Sequence, residues 1–99
     1  MKNIDFAEVN RAALSSLPAI VSRWLPNGRR EGQEWVSLNP LRSDKKKGSF
    51  KVNLHNGKWS DFATGDRGGD PISLGAYLHG LSQLDSTKQL AKMLGVSYE

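Results

Sequence analysis

The chain of 99 residues contains no cysteine. Disulfides and thiolate metal sites are therefore excluded, and His55 and His79 remain as the only imidazoles available to a zinc ion. No apolar run approaches the roughly 20 residues that a membrane span needs. The N-terminal MKNIDFAEVN also lacks the uninterrupted apolar stretch of a signal peptide. A cytoplasmic protein without membrane contact is expected. Internal repeats and long low-complexity segments are absent as well.

What is present suits one core. At this length a single domain over residues 1–99 is expected. Three Trp, three Phe and two Tyr within a 37% hydrophobic composition argue against disorder. The formal charge of +4 is unevenly spread: residues 23–67 hold ten basic and five acidic side chains, the two ends together four and five. A basic middle favours polyanions through direct attraction and counterion release.

Local patterns divide the chain into a helical N-terminal extension (1–27), a β-hairpin sheet (28–64) and C-terminal helices (65–95). Asp5 and Glu8 have capping-box spacing before Phe6, Val9, Ala13, Leu14 and Leu17, which predicts a helix over 5–16. Pro18 suits the first turn of a second helix that ends at Leu25-Pro26-Asn27-Gly28. Arg29-Arg30-Glu31, a Gly32-Gln33 turn and Glu34 to Leu38 read as a hairpin. Phe50, Val52 and Leu54 alternate with polar residues on a strand facing a core.

Asn56-Gly57 carries the strongest short hairpin signal, with Lys58 to Phe62 as the returning strand. A two-residue turn pairs Leu54 with Trp59 and Val52 with Asp61, leaving Phe62 on the outer face beside Lys51. A three-residue loop pairs Phe50 with Phe62 and turns Phe62 inward, because one residue of slip exchanges the faces. A glycine-rich connection, Gly65 to Gly69, then leads to Asp70-Pro71, the start of a helix over 71–79 closed by Gly80. Ser82 and Asp85 open a final helix that runs to Gly95.

The order of these parts resembles the N-terminal zinc-binding domain of bacterial and phage DNA primases. The resemblance is carried by Asn39-Pro40, Ser49-Phe50-Lys51-Val52, Trp59-Ser60-Asp61-Phe62, Gly68-Gly69-Asp70-Pro71-Ile72-Ser73-Leu74 and Gly80-Leu81-Ser82, over roughly residues 35–95. In that family a Cys-Pro-x-His pair and a Cys-x-x-Cys pair hold zinc. Here the corresponding positions fall on Asn39, Arg42, Asp61 and Thr64, a set unsuited to zinc.

The resemblance thus implies an α+β fold: a small antiparallel, zinc-ribbon-like sheet, metal-free and without a cofactor, flanked by helices. Packing of the N-terminal helices and of Trp24, Trp35 and Trp59 is expected to replace the metal, each indole burying about 150–250 Å². Arg42 and Asp61 are placed to form a salt bridge across the old metal position. The resemblance also implies a replication setting in which single-stranded template DNA is the partner. A primase catalytic domain or a replicative helicase is then expected elsewhere in the system.

The candidate nucleic-acid-binding residues are Arg29, Arg30, Arg42, Lys45, Lys46, Lys47, Lys51, Lys58 and Arg67, with Phe62 as a stacking platform and Trp35 as a second candidate. The Gly65 to Asp70 loop lacks a Gly-Lys-Ser/Thr ending, and Asp70 would oppose a phosphate there. It reads as a turn. Asp44, Asp61, Asp66 and Asp70 show no spacing that makes them converge on magnesium, and neither histidine has a local catalytic partner. No catalytic residue is expected. The competing reading is a protein-interaction adaptor that docks a helicase or polymerase without touching DNA.

Overall fold

Residues 4–41 and 49–97 are described in a computed structural model of the chain. Four helices and five strands follow in the order α1 (Phe6–Ser15), α2 (Leu17–Trp24), β1 (Arg29–Glu31), β2 (Glu34–Ser37), β3 (Phe50–Asn53), β4 (Trp59–Asp61), β5 (Arg67–Gly68), α3 (Pro71–His79) and α4 (Gln83–Leu94). The strands form one antiparallel sheet in sequence order. The fold is α+β, as the sequence implies.

The helix boundaries follow from their caps. The Asp5 carboxylate accepts from the Glu8 N–H at the start of α1. Asp70 and Ser73 cap α3 reciprocally, and Ser82 Oγ accepts from the Asp85 N–H at the start of α4. Gly80 and Gly95 close α3 and α4 in the left-handed conformation. A further tie comes from Asn10, whose Oδ1 accepts from the Ile72 N–H and so joins α1 to the first turn of α3.

One core lies between the helices and the inner face of the sheet. Val9, Ala13, Leu17, Ile20 and Val21 enter it from α1 and α2, Phe50, Val52 and Trp59 from the sheet, and Ile72, Leu74, Leu90 and Ala91 from α3 and α4. Trp24 and Trp35 are only partly buried against it. Trp35 and Trp59 each press the indole N–H edge onto a glycine: a Cβ on Gly28 or on Gly68 would collide with it. Both N–H groups are used, Trp35 donating to the Leu25 carbonyl at 3.1 Å and Trp59 to Ser73 Oγ at 3.0 Å.

The β3–β4 register corrects both pairings that the sequence offers. Val52 stands opposite Trp59 and Phe50 opposite Asp61, with a four-residue connection from Leu54 to Gly57. The cause is Asn53, whose Oδ1 accepts from the N–H groups of His55 and Asn56 and builds the turn before Asn-Gly is reached. Gly57 completes it at φ 79°. This pairing differs from the two-residue version by two positions, so the faces are conserved: Trp59 lies inside and Phe62 outside. The glycine-rich connection also departs from expectation, because Arg67 and Gly68 pair with β4 and extend the sheet beyond residue 64.

Candidate nucleic-acid interface

On β3 and β4 the inward residues are buried, while Lys51, Asn53 and Ser60 stay partly exposed. Cross-strand pairing then draws one row over all five strands: Arg29, Val36, Lys51, Ser60 and Arg67. A second row, toward the β3–β4 turn, holds Glu31, Glu34 and Asn53, with Lys58 joined to Asn53 through its carbonyl. On the other side of the first row stands Phe62, whose N–H donates to the Ser49 carbonyl. Phe62 is 70% exposed, and Lys51 Nζ lies 5.6 Å from its ring centroid.

The structure therefore brings Lys51, Lys58 and Arg67 to one shallow groove of about 280 Å³, with Glu34, Asn53 and Ser60 also lining it. Arg29 shares the face two strands away and pairs with Glu31 at 2.7 Å. Such an exposed ion pair contributes little to stability. Arg30 alternates to the other side of β1, where its Nε donates to the Gly32 carbonyl. Arg42, Lys45, Lys46 and Lys47 lie outside the described residues, and so does the expected Arg42–Asp61 bridge. Trp35 belongs with the core, so among the aromatics singled out in the sequence Phe62 alone is displayed.

Beneath the sheet, three of the four positions that the resemblance aligns with zinc ligands, Asn39, Asp61 and Thr64, carry hydrogen bonds; the fourth, Arg42, lies outside the described residues. Asn39 and Asp61 are each 1% exposed. Asn39 Nδ2 donates to Asp61 Oδ2 and to the Tyr77 hydroxyl oxygen, both at 2.8 Å. The Tyr77 hydroxyl in turn donates to Asp66 Oδ2 at 2.8 Å, and the Asp66 N–H donates to Thr64 Oγ1. Asp61 Oδ1 accepts from the Ala63 N–H, and Asn39 Oδ1 from the Leu41 N–H. Tyr77 also stacks on Phe50 and lies tilted against Trp59. Burial raises its phenol pKa above the ordinary value; the bond from Asn39 opposes that shift and the Asp66 carboxylate reinforces it.

Zinc does not fit this set. Asn39 and Thr64 are neutral, Asp61 is a lone carboxylate, and both of its oxygens already accept hydrogen bonds. Among the described residues no three His, Cys, Asp or Glu side chains are grouped to hold a metal ion. Three of the four aspartates singled out in the sequence serve local structure, Asp61 and Asp66 in the cluster and Asp70 as the cap of α3, while Asp44 lies outside the described residues. The sequence points to Asn39 and Asp61 only through the family's ligand positions. Tyr77 gives a fainter signal, a phenolic hydroxyl flanked by Ala76 and Leu78 in a mostly apolar helix, which must find a partner where it packs against the sheet.

No helix among the described residues is long and apolar enough to cross a membrane. No family model matches the chain, and no curated protein matches it. Among solved structures it is similar to the Aquifex aeolicus primase comprising the zinc-binding and RNA polymerase domains, at 23% sequence identity and a TM-score of 0.80. All of this chain is covered but only 23% of the Aquifex chain, so the likeness is one of fold to part of a much longer primase.

Proposed function

We propose that this chain is a non-catalytic, cytoplasmic nucleic-acid-binding module of a primase-type replication system, holding single-stranded template DNA across the outer face of its sheet. It is read as a single domain. The observation that carries the proposal is the exposed Phe62 ring beside Lys51, continuous with the groove of Lys58 and Arg67. Single strands are bound by this combination, because every base has a face to stack on an aromatic and every phosphate a charge for a cation. The primase-like fold supports the setting, a primase or primase-helicase of phage or plasmid type, with primer synthesis left to a catalytic domain and a helicase as a further partner. Arg29, Arg30, Arg42 and Lys45 to Lys47 extend the basic surface in this reading.

The test is fluorescence anisotropy of a labelled single strand titrated with salt. Affinity should fall steeply as salt rises. Neutralising Lys51, Lys58 and Arg67 together should flatten the log–log slope by about 2, near 0.7 for each phosphate that the variant no longer neutralises. Absence of binding at low salt would favour the adaptor that docks a helicase or polymerase.

A further inference from the structure

The groove on the outer face contains one carboxylate among its cations. Glu34 lines it together with Lys51, Lys58 and Arg67, and the only ion pair among the described residues is that of Arg29 with Glu31. Among the described residues no lysine or arginine nitrogen lies within 4 Å of the Glu34 carboxylate, which is therefore open to a ligand. A surface built to hold phosphates alone gains nothing from a carboxylate, which repels them.

The remaining polar groups of the groove are mostly donors. Asn53 Oδ1 is occupied by the N–H groups of His55 and Asn56, and Asn56 Oδ1 accepts from the Lys58 N–H. Both amides are left with their NH₂ groups to offer. Lys51, Lys58 and Arg67 are donors only. Glu34, directly across from Asn53, is therefore the strong acceptor of the groove, set next to a donor.

We propose that Glu34 makes this groove selective for bases carrying an exocyclic amino group over thymine and uracil. This rests on the nucleic-acid reading above and deepens it. Cytosine and adenine each present an amino donor next to a ring nitrogen acceptor, matching the Glu34 carboxylate and the Asn53 NH₂ group. Guanine presents two adjacent donors to the carboxylate. Uracil and thymine flank their single ring N–H with two carbonyl oxygens, so a carboxylate approaching that edge is repelled. Lys51, Lys58 and Arg67 hold the backbone, and Phe62 stacks a neighbouring base.

The experiment compares labelled oligo(dC) and oligo(dU) of equal length at fixed low salt, since their bases differ only along the edge that Glu34 reads. Wild-type protein should bind oligo(dC) more tightly by on the order of tenfold. Glu34→Gln keeps the shape but carries both a donor and an acceptor. It should bring the ratio close to one, mainly by improving oligo(dU) binding. Glu31→Gln, which alters the carboxylate already paired with Arg29, should leave the ratio unchanged. Equal binding of both oligomers by the wild type overturns the selectivity while leaving the template-binding reading standing, as does an identical gain for both in Glu34→Gln. Failure of both oligomers to bind overturns the template-binding reading itself.

Discussion

Asp61 and Phe62 are neighbours at the end of β4, yet the carboxylate is 1% exposed and the phenyl ring 70%. Ordinary preferences would exchange them, since carboxylates are almost never buried unless paired and large aromatics usually are buried. Strand alternation sends the two side chains to opposite faces of the sheet. Below the sheet, Asp61 is one link in the clasp formed with Asn39, Tyr77, Asp66 and Thr64. Above it, Phe62 stands beside Lys51, which lines the basic groove. Both residues depart from their usual environment: Asp61 is buried within a hydrogen-bonded cluster, and Phe62 is displayed beside a lysine, where the proposed single strand would stack.

This contrast is broken most severely from below. Asn39→Ala removes the donor shared by Asp61 and Tyr77 and the acceptor of the Leu41 N–H. Urea unfolding should show a loss of about 3 kcal/mol, because a buried carboxylate is deprived of a partner. Single-strand affinity measured where the variant is still folded should hardly change. A variant with full stability would remove the clasp from the account of the fold.

Phe62→Ala attacks the upper face alone. It should weaken single-strand binding by roughly tenfold, the loss of one stacked base, and leave unfolding within about 0.5 kcal/mol of the parent. If stability fell and binding did not, the two neighbours would share one structural role.

Tyr77→Phe sharpens the comparison by keeping the ring stack and deleting only the hydroxyl link, with an expected cost of about 1 kcal/mol. Its pH dependence carries a definite sign. The fold raises the phenol pKa, so it favours the protonated form. That contribution is complete below the unfolded value of about 10 and is lost as pH rises through the higher folded value. The melting temperature of the parent should therefore decline in alkali beyond any decline seen in Tyr77→Phe.

Much of the architecture is readable from the sequence because it is written locally. Asp5, Asp70 and Ser82 announce three helix starts, and alternation at Phe50 and Val52 announces an inner face. The β3–β4 register is less accessible, because a side chain of the strand itself, Asn53, forms the turn ahead of the Asn-Gly pair. The observed register has the parity of the two-residue reading, which displays Phe62, and not of the three-residue reading, which turns it inward, so the facing of Phe62 is settled only by the structure. The clasp is not readable in the same way: Asn39 and Tyr77 are 38 positions apart, and nothing in their own surroundings records the contact. The Glu34 groove is likewise a product of pairing across strands, visible only once β2 lies beside β3.

The two tryptophans seated on glycines bear on how tightly a ligand can be held. Trp59 bridges from Gly68 on β5 to Ser73 on α3, and Trp35 bridges from Gly28 to the end of α2. The sheet is thus tied from behind to the helices at two points. A single strand docking on the outer face, as proposed, would surrender its own freedom and, to the extent that these ties hold the sheet in place, little of the protein's. Differences in affinity among ligands should then report the contacts they make.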